Sequence, residues 1–564
     1  MIIKQLNEDL RMVLKSLDYP FENETVILSN RKDLCDYQYD GIFSLAKKIH
    51  QNPIEIGKKI EQKYKELFEN DKKLKKIEFV RPGFLNLTLS DEYINELLNY
   101  MNSHEKFGIE QEKQSTYVID YGGYNIAKPL HVGHLRSAIV GESLKRILKS
   151  MGHKVLGDVH LGDYGLQIGQ VIYGLKQENI KIEDITLEKL EEIYPYISSL
   201  CKEDEKIKEA CSEITKKMQE GDYEYNEYFK VIRKISGEDI KRICDYLDIH
   251  FDYWYGESDA YPFLSIVEND LNTKNLLRES EGALVVDIKE ETDKKEVPPL
   301  IFKKSNGAYL YASTDLATIY QRLLLCKPDH ILYVADLRQA SHYESFFRVA
   351  KKLGLKTKLE FHGFGTVNGL DGKPYKTRDG SAPKLDDLFK NVKNVFISSN
   401  PKNESMDDKD LDIIVNAILK FADLQNNREK DYIFDEKKFS SVVGKTGPYI
   451  LYTYVRIHNI IKSQNFMPKS LNKKIYNQYD RDLRMKFLEL NEIMKSACQN
   501  RLPSIIANYI YEISVLMNAF YENNHINNLE DIDKKENWLT VLSLGCNLLK
   551  SLLELLAIKI PERM

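Results

Sequence analysis

Between Tyr117 and Met151 a strand-like run, a loop holding proline and glycine, and a helix-forming run follow one another. This order constrains the fold more than any other stretch of the chain. Residues 117–121 read as a strand. The segment Asn125-Ile-Ala-Lys-Pro-Leu-His-Val-Gly-His134 reads as the loop, and Leu135, Ile139, Leu144, Ile147 and Met151 recur at helical spacing. A helix that starts just after such a loop turns its unpaired backbone N–H groups and the positive end of its dipole outward, which suits phosphate. His131 and His134 fall on one side of the first turn. Gly133 between them lets a flat ligand approach the backbone, and Lys128 adds a mobile positive charge. The pattern predicts a site for a nucleoside triphosphate.

The rest of the chain predicts three domains around that loop, in keeping with 564 residues at ~150 per domain. Residues 1–105 read as a small α+β domain. It has helices at 42–50 and 53–67, strands at 76–79 and 84–89 split by Arg81-Pro82-Gly83, and a closing helix at 93–101. Over residues 116–400 strands alternate with helices, as parallel βαβ units require. This part is expected to be an α/β Rossmann-like domain with a parallel sheet, its strands at 117–121, 155–159, 283–287, 330–334 and 360–363. Residues 180–242 are charged and helical and read as an insertion. Residues 407–564 read as an all-α helical bundle, with helices at 411–427, 447–464, 480–499, 503–523 and 537–556.

Composition narrows the setting. At 42% hydrophobic and 30% charged residues, the chain can bury cores and stay in solution. The seven cysteines are odd in number, scattered and never in a Cys-x-x-Cys pair, which argues against a disulfide framework or a thiolate zinc site and predicts a reducing cytoplasm. The first 19 residues carry too many charges for a secretory leader. The apolar stretch 548–560 is too short to span a bilayer, so no membrane partner is expected and the stretch reads as a buried terminal helix. The net charge of −5 hides an asymmetry: from Lys437 to Arg501 there are thirteen Lys/Arg against four acids, interleaved with Tyr449, Tyr452, Tyr454, Tyr476 and Tyr479. Such a stretch is either an RNA-contacting surface or a solvated face over packed tyrosines.

Two further features bear on chemistry. His131, His134, His153, Asp158, His160 and Asp163 could suggest zinc. The glutamate of a His-Glu-x-x-His hydrolase is missing, however, and glycine at 133 suits a ligating helix poorly, so no metal is predicted. Downstream, Gly363-Phe-Gly-Thr-Val367 leads into Asp371-Gly-Lys-Pro-Tyr-Lys-Thr-Arg-Asp-Gly380, which sets Lys373, Lys376 and Arg378 among turn residues. This is either a loop that closes over a triphosphate or simply a basic hairpin.

The run Lys128-Pro-Leu-His-Val-Gly-His-Leu-Arg-Ser137 resembles the His-Ile-Gly-His signature of class I aminoacyl-tRNA synthetases, in the extended form of the arginyl-tRNA synthetases. The same family is resembled by His160-Leu-Gly-Asp-Tyr-Gly-Leu-Gln167, Tyr311-Ala-Ser-Thr-Asp315 and Arg338-Gln-Ala-Ser-His342. Gly447-Pro-Tyr-Ile-Leu-Tyr-Thr-Tyr-Val-Arg456 and the terminal Pro-Glu-Arg-Met extend the likeness, and residues 1–105 resemble its N-terminal tRNA-contacting domain. The resemblance implies activation of L-arginine by ATP, with Mg2+, and transfer to the 3′ end of tRNA(Arg) by a cytoplasmic monomer. It further implies phosphate contacts from His131, Gly133 and His134, nucleotide contacts from Gly363 and Val367, and cationic help from Lys128, Lys376 and Arg378. The usual Lys-Met-Ser-Lys-Ser is here Tyr-Lys-Thr-Arg-Asp, and in the family a lysine in the place of Lys128 compensates.

A guanidinium is a planar fork of donors and asks for carboxylates and other oxygen acceptors. The family-matching candidates are Asp120, Tyr311, Asp315 and Gln339, with Asn125 at the backbone end of the substrate; Tyr449, Tyr452 and Arg456 are implied to contact tRNA. Two rivals stand beside this: a class I synthetase for another amino acid such as cysteine or glutamine, and a non-catalytic, synthetase-derived tRNA-binding protein. The intact His131, Gly133, His134, Lys376 and Arg378 disfavour the second.

Overall fold

The computed structural model describes residues 2–21, 25–375 and 383–564, except the side chain of Asn527. The chain forms two compact units. One comprises residues 1–110, 456–494 and 512–549, the other residues 111–455, 495–511 and 550–564.

The first unit holds a four-stranded antiparallel sheet in the order Val26–Leu28, Tyr37–Tyr39, Phe84–Leu89, Leu74–Val80. Helices Ile2–Ser16, Ile42–Ile49, Pro53–Leu67 and Asp91–Ser103 accompany it. Their starts are locally written: Asn52 accepts from the Ile54 amide with Pro53 at the first helical position, and Ser90 accepts from the Tyr93 amide. The N-terminal helix and the two three-residue strands escape the sequence reading.

Against this α+β part packs the helix Gln478–Leu488. Arg484 is fully buried and donates to Asp480 at 2.5 Å and to Asn95 and Asn537, while Arg481 pairs with Asp36 at 2.6 Å and Asp91 at 3.0 Å. Lys473 pairs with Glu92, and Lys486 with Glu489 and Glu512 at 2.7 Å each. Part of the basic stretch is therefore structural wiring: Arg481, Arg484 and Lys486 are held within the fold, while Lys473 makes an exposed pair.

The second unit is built on a parallel sheet in the order Lys358–Phe361, His330–Tyr333, Thr116–Asp120, Lys154–Asp158. In register Tyr333, Asp120 and Asp158 stand side by side at the carboxyl edge. Strand order reverses between the first two strands in sequence and the last two. This leaves a crevice outside the carboxyl ends, where ligands of such sheets bind. Ser137 bridges the crevice, accepting from the Gly122 amide at 2.9 Å and donating to the Val334 carbonyl at 2.7 Å. Val118, Ile331, Leu316, Ile319, Phe346 and Val349 fill the core on one face; each such side chain contributes about 1.5–3 kcal/mol of burial.

Residues 180–242 are helical as expected, in Leu187–Glu203, Glu205–Gln219 and the start of Tyr223–Tyr246. The strand expected at 283–287 is not part of the parallel sheet. Ala283–Val286 is the middle strand of a separate antiparallel meander with Leu277–Ser280 and Leu300–Lys303; the two-residue turn Glu281-Gly282, both at positive φ, makes a hairpin with the strand before it. Beyond residue 407 the chain is helical apart from the two-residue strand Tyr432–Ile433. The single helix expected at 480–499 is two, Gln478–Leu488 and Leu490–Asn500.

Candidate active site

The histidine loop reaches the helix Val132–Ser150 in a fixed geometry. His131 is the N-cap residue in extended conformation; its Nδ1 accepts from the Gly133 amide at 3.1 Å, and Nδ1 of His134 accepts from the His131 amide at 3.1 Å. Both Nδ1 atoms being acceptors, each neutral ring carries its proton on Nε2 as a donor. The ring centroids are 3.9 Å apart. Burial, then the adjacent imidazole and Lys128, push His134 down to about 3; burial and Lys128 lower His131 as well. At neutral pH the pair is uncharged. A side chain at Gly133 would lie 2.9 Å from Cε1 of His131, so only glycine lets that ring cap the helix.

Two non-glycine residues near the loop hold positive φ, Ala127 at 60° and His160 at 40°, a strained conformation of the kind found at ligand sites. The Ala127 amide is held by Ser236 Oγ at 2.9 Å, from the long helix Tyr223–Tyr246. Asn125 pairs with Gly162 across an isolated bridge, and a Cβ on Gly162 would meet Asn125 Oδ1 at 2.4 Å. The helix Leu187–Glu203 braces the loop: Tyr194 lies under the Lys128 ammonium at 4.8 Å, and Glu191 takes Lys384 at 2.6 Å. Lys384 also forms a bridge with His131, so the segment following the cationic stretch runs beside the imidazoles. Lys376 and Arg378 themselves lie outside the described residues.

The acidic side of the site comes from the same edge. A helix leading into a parallel strand runs against it, so the start of Tyr311–Cys326 lies at the carboxyl end of the sheet. Asp315 is there, one turn after Tyr311, which is 63% exposed. Asp315 Oδ2 accepts from His342 Nε2 at 2.6 Å. Glu257, absent from the sequence reading, completes the group. It follows Gly256, whose bridge to Leu161 brings it to the edge, and Ser258 beside it anchors the buried Asp163 at 2.9 and 2.7 Å. Burial, then Asp163 and Asp315 acting against His160, lift Glu257 to about 7. No local signature announces it; the single clue is an acid beside a glycine.

Other expected residues fall differently. Asp120 is bonded to an internal guanidinium: Arg322 Nη2 donates to it at 2.6 Å and to Asp158 at 2.7 Å. Gln339 is exposed at the start of the helix Ala340–Lys352. A Cβ at Gly363 would strike Leu337 at 2.5 Å, so its smallness serves packing, and Val367 pairs with Tyr432 in a short parallel bridge. Of the RNA candidates, Tyr452 is 41% exposed and lines a cavity of about 1660 Å3 with Lys402, Lys409, Lys550, Arg563 and Met564. Tyr449 tilts against Tyr511 at 5.8 Å, and Arg456 lies over Tyr521 at 5.1 Å.

A crevice at the switch point of a parallel sheet, capped by a His-x-Gly-His helix start, defines a class I aminoacyl-tRNA synthetase. The family described as "tRNA synthetases class I (R), catalytic domain" matches residues 96–436, "Arginyl tRNA synthetase N terminal domain" residues 4–89, and "DALR anticodon binding domain" residues 450–564. Curated relatives include an arginine–tRNA ligase of Alkaliphilus oremlandii, 38% identical with all of both chains covered, and one of Francisella tularensis, 36% identical with 99% of both covered. Among solved structures, an arginyl-tRNA synthetase from Plasmodium falciparum is 27% identical with a TM-score of 0.83, covering 100% of this chain and 99% of its own. One from Thermus thermophilus shares the fold at a TM-score of 0.81 and 20% identity over the whole of both chains. The chain belongs to the arginyl-tRNA synthetase family and is an aminoacyl-tRNA ligase that uses ATP.

Proposed function

We propose that the chain condenses L-arginine with ATP and passes the arginyl group to tRNA(Arg), with the imidazole pair on the phosphates and Asp315 and Glu257 on the guanidinium. One observation carries this reading: two neutral Nε2–H donors and a pair of carboxyls are gathered at one carboxyl edge of one sheet.

The substrate carboxylate attacks the α-phosphorus of ATP; the new O–P bond forms as the bond to pyrophosphate breaks. The protein's contribution is positioning in line and stabilising the charge on the phosphate oxygens. His131 and His134 donate there, and the glycine at 133 keeps the helix start accessible. Lys128, Lys376 and Arg378 neutralise the departing pyrophosphate. Mg2+ arrives with ATP as part of that substrate. Gly363 and Val367 shape the floor beside the nucleotide. Asn125, seated over Gly162, takes the backbone end of arginine, while Tyr311 and Gln339 flank its side chain. Asp120 we place behind the substrate, holding Arg322. Tyr452 and the cations of its cavity contact the tRNA, with Tyr449 and Arg456 supporting the same helix, Gly447–Ser463. The seven free cysteines support a reducing, cytoplasmic setting, and we take the working form as a monomer.

Asp315→Ala tests the reading. It is expected to raise the KM for arginine about 100-fold, the cost of stranding a buried charge, and to leave the KM for ATP unchanged. An unchanged KM for arginine would remove Asp315 from the substrate site.

A further inference from the structure

We propose that His342 is a positioning residue for arginine selection, clamping the Asp315 carboxylate in the orientation a guanidinium needs. This rests on the reading of Asp315 as the guanidinium acceptor and adds to it a residue that touches no substrate.

The geometry is a bond between two helix starts. His342 sits in the first turn of Ala340–Lys352, and its Nε2–H donates to Asp315 Oδ2 at 2.6 Å across to the start of Tyr311–Cys326. The imidazole does not choose its own tilt. It meets the ring of Phe346, a fully buried core residue, edge-on at 5.4 Å and that of Tyr343 at 5.6 Å. The rigid core thus aims the ring, and the ring aims the carboxylate. A carboxylate has about four acceptor positions; one N–H from His342 leaves room for a guanidinium fork while removing free rotation of the acid. A short, aimed bond of this kind orients a ligating group much as partners behind a metal ligand do.

The charge of the ring matters as well. Asp315 raises the pKa of His342 through the same hydrogen bond. When His342 is protonated it neutralises Asp315 and competes with the incoming cation; when neutral it donates the same bond without that competition. Among the described residues, the other charged and titratable groups around this pocket include Asp120, Glu257, Arg322 and the phenols of Tyr311, Tyr333 and Tyr343, with His160 and Asp163 behind Glu257. Arginine use is therefore weakened as pH falls through the His342 titration, and Glu257, itself gaining a proton at about 7, acts in the same direction.

The test is steady-state ATP–pyrophosphate exchange in the presence of tRNA. His342→Ala is expected to raise the KM for arginine about 10-fold, as for loss of one charge-assisted bond, with kcat and the KM for ATP little changed. His342→Gln, whose amide N–H reaches the same oxygen, restores the KM at pH 8 and loses the His342 part of its rise in acid. Glu257→Gln, measured in parallel, keeps that part. In an Asp315→Ala background, His342→Ala adds nothing. Equal effects on arginine and ATP, additivity with Asp315→Ala, or an acid rise retained whole in His342→Gln would overturn the proposal. An arginine KM unaffected by Asp315→Ala would overturn the underlying reading and this proposal with it.

Discussion

A neutral imidazole offers a phosphate one N–H and no charge, so its value lies in being aimed. His131 and His134 are aimed by the backbone itself: each has one nitrogen fixed on a main-chain amide of the first helical turn. Donors already in place cost no reorganisation as charge builds on the phosphate. His134→Ala should therefore slow adenylate formation by about 100- to 1000-fold with little effect on tRNA binding, measured by pyrophosphate exchange and by filter binding. Rates equal to the unmodified protein would take His134 out of the reaction. Such a pair is legible in a sequence because all its determinants lie within ten residues. Glu257 and His342 are not, since each gains its meaning from partners folded in from elsewhere, His342 from an acid 27 positions away. Asp120 shows the converse. A carboxylate at a strand end looks available until Arg322, 202 residues on, is seen to hold it.

At the scale of elements, the helix Val132–Ser150 must be held still if its first turn is to aim anything. Ion pairs do this along its length: the buried Arg136 with Asp423 at 3.1 Å, then the partly buried Arg146 with Glu142 at 2.7 Å and with Asp248 at 2.9 Å. Asp248 also takes Lys559 at 2.8 Å, and the buried Lys420 donates to the carbonyls of Leu247 and Ala557, so the last residues of the chain are tied to the same helix. Burial would raise the Asp248 carboxyl, but Lys559 and Arg146 outweigh it and hold it down to about 2. A depressed carboxyl stabilises the fold above its unfolded value near 3.8 and loses that contribution as pH falls through the folded one. Asp248→Asn should accordingly lower the thermal midpoint at pH 6, and the gap from the unmodified protein should close between about pH 4 and pH 2. A gap that stays constant over that window would show that the ion pairs are not its source. Helices with strong apolar periodicity and local caps, such as Pro53–Leu67, were readable almost to the residue. Val26–Leu28 and Tyr37–Tyr39 were not, because three residues cannot display an alternation.

At the scale of the molecule, charge decides where nucleic acid can lie. The cationic stretch from Lys437 to Arg501 promised a surface, yet Arg484 pairs with Asp480 one turn away on its own helix, while Arg481 and Lys486 pair with Asp36 and Glu512, acids that no local reading could supply. The cavity beside Tyr452 presents Lys402 and Lys409 instead, in a lining that also carries Asp407, Asp410, Glu554 and Glu562. Lys402→Ala and Lys409→Ala should each weaken tRNA binding and flatten its dependence on salt by about one unit of log–log slope, read from titrations at several ionic strengths. Slopes identical to the unmodified protein would move the RNA contact elsewhere. The central claim is that imidazoles and acids at one sheet edge join an activated amino acid to tRNA and admit only a guanidinium. The most direct measurement of it is charging of total tRNA with each of the twenty labelled amino acids in the presence of ATP and Mg2+. Incorporation of arginine alone, abolished when ATP is omitted, is the predicted result; charging with a different amino acid, or tRNA binding with no charging at all, would contradict it.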